Sequence, residues 1–437
     1  MQICVVALGK IGLPLAVQFA SKGHHVVGVD IAERVVRSVN AGTAPFSGEE
    51  GLDELLKQVV TDGKLTATTD AAAAAATAQA VVIVVPLVVD GAGVPDFGPL
   101  DSATRAVAAG LRPGTLVVYE TTLPVGTTRD RFTPMLAEGS GLAAGRDLFV
   151  AFSPERVFAG RVFADLRAYP KLVGGVGPEA GARAVEFYES VLDFDPRPGL
   201  ARPNGVWDLG SAEASELAKL AETTYRDVNI ALANTFARFA DQTGLDVLPV
   251  IEACNTQPFS HIHQPGIAVG GHCIPVYPQM YLWKDPQAEV VRAARQANSA
   301  MPAYAVSLLE AAHGDLHGER VAVLGVAYRG GMKEDAFSGV YGVVDALRSR
   351  GAVPLVSDPL YSAEEIRALG LEPLPAGAEV AAAIIQTDHA EYRDLGSADL
   401  PGIRTLVDGR RITDPAAWPG VQRRVIGAGD ALAGLQS

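Results

Sequence analysis

Hydrophobic positions along this chain fall into short apolar runs separated by stretches of helical period, which is the pattern of an α/β protein. Gln2–Ala7 reads as a buried strand, Leu8–Gly12 as a glycine turn, Leu13–Ser21 as a helix closed by Gly23, and His25–Val29 as a second strand ending at Asp30. Further strands are expected at Val81–Val85, Leu116–Glu120, Leu148–Phe152 and Lys171–Val173. Their unbroken runs of β-branched and aliphatic residues belong to strands covered on both faces, so the first part of the chain is predicted to be a doubly wound parallel sheet with ligands at its carboxyl edge.

From Ser211 to about Asp241 the chain has no Gly or Pro, and Leu217, Leu220, Ala221, Thr224, Ile230, Ala233, Phe236 and Ala237 recur at helical spacing. This predicts one long helix, which bridges two lobes and offers a dimer seam. A helical stretch continues to about His313, and then the strand pattern restarts: Arg320–Leu324, a glycine loop at Arg329-Gly330-Gly331, a helix over Ser338–Ser349, and strands at Val353–Val356, Ala381–Gln386 and Arg404–Asp408. The expected fold class is therefore α/β, two Rossmann-like doubly wound lobes joined by a long central helix and a helical middle domain. The expected divisions are 1–205, 206–315 and 316–437.

Composition narrows the partners. A chain of 437 residues is too long for one core. A net charge of −14 argues against nucleic acid or an anionic membrane as a partner, since both need a basic surface. Cys4, Cys254 and Cys273 are too far apart in the chain for a disulfide framework or a CxxC site, which implies no structural metal and fits a reducing cytoplasm. No basic and apolar leader opens the chain, so no signal peptide is expected. The uncharged run Ala71–Val89 reads as an alanine helix followed by a buried strand rather than a membrane span.

Candidate chemistry lies between these elements. Ala7-Leu8-Gly9-Lys10-Ile11-Gly12 sits between strand and helix, with an acid at the end of the next strand, which is the setting of a dinucleotide site. Gly9, Lys10, Ile11 and Gly12 would cradle a pyrophosphate. Asp30 would accept from the adenosine ribose and favour NAD over NADP, with Arg34 four residues beyond it. Thr122, in Glu120–Thr128, and Glu155 with Arg156, in Ser153-Pro154-Glu155-Arg156-Val157, follow predicted strand ends; each segment reads equally as a helix cap or surface ion pair. Lys219, Thr223 and Arg226 share one helical face, either a solvated basic patch or an oxyanion site. Val269-Gly270-Gly271-His272-Cys273-Ile274-Pro275 displays a thiol in a tight loop, although a lone cysteine also serves as a small core residue.

In this order the blocks resemble the nucleotide-sugar 6-dehydrogenases, the UDP-glucose/GDP-mannose dehydrogenase family, and Ser-Pro-Glu-Arg-Val with Gly-Gly-His-Cys is most similar to the branch that acts on UDP-N-acetylhexosamines. The resemblance implies oxidation of a sugar C6 alcohol to a carboxylate with two NAD⁺, through a Cys273 thiohemiacetal and thioester. It implies Lys219 as the oxyanion and proton group, Thr122 and Glu155 as water-orienting groups, and Arg156, Val157, Arg226, Gly270, Tyr328 and Arg329 as contacts to the UDP-sugar in an interdomain cleft. The long central helix, for its part, leads us to expect a homodimer. The chain departs from the family where an aspartate becomes Tyr277, where an asparagine becomes Thr223, and where Asp-Asp-x-Arg-x-Ser becomes Glu334-Asp335-Ala336-Phe337-Ser338 with Lys333 before it. These departures fall on water activation. They leave open a single-hydride dehydrogenase, or a nucleotide-sugar-binding homologue with impaired hydrolysis.

Overall fold

The computed structural model describes residues 1–91 and 93–429. The chain forms two compact units, one from Met1–Glu222 with Gln279–Lys284, the other from Thr223–Pro278 and from Asp285 onward.

The first unit holds β1 (Gln2–Val6), β2 (His25–Val29), β3 (Leu65–Thr68), β4 (Ala80–Ile83), a small antiparallel hairpin of β5 (Val88–Val89) and β6 (Pro95–Asp96), then β7 (Thr115–Tyr119), β8 (Leu148–Phe152), β9 (Lys171–Gly175) and β10 (Val206–Asp208). Its sheet runs in the order β10-β9-β8-β7-β4-β1-β2-β3, so the chain reverses direction across the sheet beside β1, the switch point at which such folds bind ligands. The strands β1, β4, β7 and β8 are buried almost throughout, as their continuous apolar runs require. The uncharged run is divided as expected: Asp70 caps the helix Ala71–Thr77 by accepting from the Ala73 N–H, and β4 follows. No helix among the described residues is long and apolar enough to cross a membrane.

One feature departs from a purely parallel sheet. Strand β9 pairs antiparallel to β8, with Phe152 opposite Gly174 and Ala151 opposite Gly175. The connection between them, from Ser153 to Pro170, contains the seven-residue helix Val162–Ala168. The chain re-enters the sheet from the end where β8 left it, and Lys171, the first residue of β9, sits beyond the carboxyl end of β8.

The helix Ala212–Thr243 runs for 32 residues, about 48 Å, and stops at Gly244, which has a φ of 73°. The division between the units falls within it, after Glu222. In the second unit, β11 (Arg320–Leu324), β12 (Val353–Ser357), β13 (Ala382–Ile385), β14 (Thr405–Asp408) and β15 (Gln422–Val425) form a parallel sheet in the order β12-β11-β13-β14-β15. Ser338 caps the helix Gly339–Arg348 behind β11. Strands β3, β10 and β15, short and bordered by polar residues, are additions to the expected set.

Candidate active site

In the turn after β1, beside the switch point between β1 and β4, Ala7 adopts a left-handed backbone with a φ of 77°, the conformation glycine supplies in most such turns. A side chain on Gly12 would meet the Ala7 carbonyl oxygen at 1.9 Å, so the helix Gly12–Ser21 can approach β1 only with glycine there. Gly9 has open space on its side-chain face. The helix starts without a side-chain cap, which leaves N–H groups for a pyrophosphate. Asp30 accepts the N–H of Leu8 at 3.0 Å and of Ala32 at 2.9 Å, which fixes its carboxylate at the end of β2 with lone pairs to spare. Lys10 and Arg34 are exposed and Ile11 half-buried around this turn. These residues fit NAD: an uncapped helix start, an open glycine face and a fixed carboxylate for the ribose hydroxyls.

The carboxyl ends of β7 and β8 bring the next candidates together. Thr122 is buried in the loop after β7. Glu155, Arg156 and Val157 line one pocket with Tyr169, Pro170 and Lys171. Arg156 donates to Glu222 at 2.8 Å and to the Pro170 carbonyl at 3.3 Å. Beneath them lies a polar cluster that sequence reasoning missed: the Lys171 ammonium is 2.8 Å from both Glu120 and Glu155, and the Tyr188 hydroxyl donates to Glu120 at 2.5 Å. Burial opposes ionisation of Glu155, but the charge and hydrogen bond of Lys171 outweigh it and hold the carboxyl below its ordinary range. Glu120 is pushed up to about 7, by burial first, with the charge of Glu155 adding to it and Lys171 working against both. Further along the same loop, Glu216 of the long helix accepts from the Gly126 N–H at 2.6 Å, the Thr128 N–H at 2.9 Å and the Thr128 hydroxyl at 2.7 Å. Lys219, one turn beyond Glu216, is buried.

In the second unit the cysteine loop owes its two glycines to a neighbour. A side chain on Gly270 would come within 2.4 Å of the Tyr328 Cβ, and one on Gly271, which has a φ of 86°, would touch the Tyr328 ring at 3.2 Å. The Gly271 N–H donates to the Ala336 carbonyl at 2.8 Å, and the Tyr277 N–H to the Cys273 carbonyl at 2.9 Å. Cys273 is free and half-buried. Behind the loop, Asp227 holds Arg295 through two bonds of 2.7 and 2.5 Å and Asn298 at 2.7 Å, and Arg295 reaches the Pro275 carbonyl at 3.4 Å. Next to Asp227, the Nε of Arg226 is buried with no hydrogen-bond partner among the described residues, a donor left for an anionic acceptor. Arg329 is exposed at the glycine loop after β11. Thr223 is buried in the long helix, and Tyr277 opens the helix Tyr277–Lys284. A half-buried free thiol in a built loop, a dinucleotide turn and a second Rossmann-like sheet are the parts of an NAD-dependent dehydrogenase that works on a nucleotide-bearing substrate.

The chain belongs to the UDP-glucose/GDP-mannose dehydrogenase family: residues 1–192 match its NAD binding domain, 213–300 its central domain and 322–415 its UDP binding domain. It is 37% identical over 440 residues to the UDP-N-acetyl-D-mannosamine dehydrogenase of Pyrococcus horikoshii, covering 98% of this chain and 100% of that one. The solved structure of the UDP-D-ManNAc dehydrogenase from Pyrococcus horikoshii superimposes with a TM-score of 0.86 at 34% identity, covering 98% of this chain and 100% of that one. The NDP-N-acetyl-D-galactosaminuronic acid dehydrogenase of Ralstonia nicotianae is 32% identical over 420 residues, covering 93% of this chain and 95% of that one. The chain is thus an NAD-dependent oxidoreductase of UDP-sugars.

Proposed function

We propose that the substrate is a UDP-N-acetylhexosamine and that its C6 alcohol is carried to the carboxylate through a thioester on Cys273. The observation that carries this reading is the half-buried free thiol in a loop shaped around Tyr328, in a chain similar to dehydrogenases named for N-acetylated sugars. NAD⁺, when bound, supplies the hydride acceptor for each of two oxidations. The protein must do the rest. An aldehyde has no hydride to lose toward an acid until a nucleophile adds, so Cys273 attacks C6 and forms a C–S bond, and Lys219 steadies the oxyanion that results. Oxidation of that adduct leaves a thioester. Water oriented by Thr122 and Glu155 then breaks the C–S bond, its proton passing to Glu155 and the thiolate leaving. Arg156, Val157, Arg226, Gly270, Tyr328 and Arg329 hold the UDP-sugar, and the unpartnered Nε of Arg226 supports that role.

We also propose that the enzyme is a homodimer through the long helix and works in the cytoplasm, which its three free cysteines support. The test of the chemistry is NADH formation without oxygen from UDP-N-acetylmannosamine, UDP-N-acetylglucosamine and UDP-glucose, for the wild type and Cys273→Ser. We expect two NADH per sugar from an N-acetylated substrate, and a variant that stalls before the acid. One NADH per sugar in the wild type, or two in the variant at an undiminished rate, would overturn the thioester route.

A further inference from the structure

Because β9 runs against β8, its first residue lies beside the loop that carries Glu155. Lys171 is 4% exposed, Glu120 1% and Tyr188 fully buried, so this ammonium has been taken out of water and must be compensated where it stands. It is compensated twice, by Glu120 Oε2 and Glu155 Oε2 at 2.8 Å each, and it lies 4.8 Å from the centre of the Tyr188 ring. Tyr188, on the helix Pro178–Val191, closes the rear of the cluster through Glu120 Oε1. The front of Glu155 is set by its Oε1, which accepts the Arg156 N–H at 2.8 Å. The Arg156 guanidinium turns instead to Glu222, and the Ser153 hydroxyl donates to the Leu172 carbonyl at 2.8 Å. Each carboxylate oxygen of Glu155 therefore has a fixed partner, and the charged one is Lys171.

We propose that Lys171 is a positioning residue for thioester hydrolysis: it aims the Glu155 carboxylate that takes the proton of the attacking water, while Glu120 and Tyr188 hold the ammonium from behind. The inference rests on the thioester reading and on the role of Glu155 within it.

The charges around Glu155 give the proposal a signature that packing alone would lack. The groups facing it are Lys171 from β9, Glu120 from the end of β7, Tyr188 from its helix and the backbone of its own loop. Replacing Lys171 by Met removes the group that favours the carboxylate and leaves a second acid beside it, so Glu155 holds its proton to higher pH. Glu120, pushed up to about 7, is protonated where Glu155 ionises, and its hydrogen bond favours the Glu155 carboxylate alongside Lys171.

The test compares wild type, Lys171→Met, Lys171→Gln and Lys171→Arg, each checked for native circular dichroism. With Lys171→Met we expect a first-turnover burst of two NADH per site followed by a steady state at least ~10-fold slower near neutral pH, the size of a weakened base. The sugar thioester should accumulate on Cys273 and be visible by intact-protein mass. The slow steady state should speed up with rising pH over a range where the wild type is level, and Lys171→Arg should restore most of the rate. A folded Lys171→Met with a wild-type steady state, or one equally slow at all pH values without thioester accumulation, would overturn the proposal. Should Lys171→Met fail to fold, Lys171→Gln decides it: slowed turnover with thioester on Cys273 and an acid limb moved to higher pH supports the proposal, and a wild-type rate and limb in a folded Lys171→Gln defeat it. Glu155→Gln separates the two layers. Full turnover without the Glu155 carboxylate would defeat the underlying reading of Glu155, whereas loss in Glu155→Gln beside an unaffected Lys171→Met would defeat the positioning role alone.

Discussion

Glu216 shows how much one residue sets at the end of a sheet. Its carboxylate is fully buried and gathers three donors from Gly126 and Thr128, so it fastens the loop that begins at Thr122 to the helix that carries Lys219. Burial still dominates and raises it to about 7 from an ordinary 4.5, against the three hydrogen bonds. The native protein therefore keeps a proton that the unfolded chain releases between those values. The associated stability is complete below about pH 4.5 and is lost as the pH rises to about 7, a term on the order of 2 kcal/mol. Glu216→Gln should flatten this slope, so the fall in urea midpoint between about pH 5 and about pH 8 should be smaller than in the wild type; an equal fall in both proteins would refute it. Residues of this kind differ in how far the sequence reveals them. Cys273 stands out because its glycines and proline restrict the backbone locally, and Asp30 because its distance from the glycine turn is set by one helix and one strand. Ala7 breaks the glycine pattern, yet the turn keeps its left-handed conformation. Glu216 and Lys171 leave no local trace: an acid or a lysine at the edge of an apolar element reads as solvated until the chain direction buries it.

At the scale of elements, the strands and the long helix were legible because apolar period and the absence of Gly and Pro are local properties. The reversal of β9 was not, since the connection from Ser153 to Pro170 is long enough for either direction of pairing. The same limit applies to the support of the cysteine loop. Asp227 and Arg295 lie on different helices and meet only in the fold, where Arg295 is 8% exposed and Asp227 fully buried, with Asn298 and Asn234 completing the set. Burial alone would disfavour the Asp227 carboxylate, and Arg295 and Asn298 counter it. Asp227→Asn would strand the guanidinium and release its hold toward Pro275, two residues beyond Cys273. We expect a loss of about 3–5 kcal/mol in unfolding free energy, and a kcat lowered by more than KM is raised. The neutral pair Asp227→Asn/Arg295→Met should recover part of the stability. A double variant no more stable than the single one would show that the ion pair does not carry the effect.

For the whole molecule, the exposed side of the long helix bears on assembly. Tyr225, Leu232, Phe236 and Phe239 are 53%, 45%, 39% and 62% exposed, although large apolar groups are usually covered. They stand at intervals of seven, four and three residues, which places them along one stripe of the helix, the spacing at which a second helix packs. Leu220, Ala233 and Ala237, also expected on the apolar pattern, are buried in their own chain, so the stripe is left over after the intrachain core is satisfied. A second copy of the chain is the occupant we propose, and the charge of the protein gives the proposal a distinctive test. Each chain carries a net charge of −14, so association works against electrostatic repulsion and must be driven by the apolar stripe. Added salt screens that repulsion and strengthens burial of apolar surface, so the dimer should tighten from low to moderate ionic strength. In sedimentation or light scattering, wild type should run at twice the chain mass at micromolar concentration, and Phe236→Asp/Phe239→Asp should run as a single chain with unchanged circular dichroism. A wild type that dissociates as salt is added would point to ion pairs instead of the stripe, and a double variant that keeps the doubled mass would place the interface elsewhere.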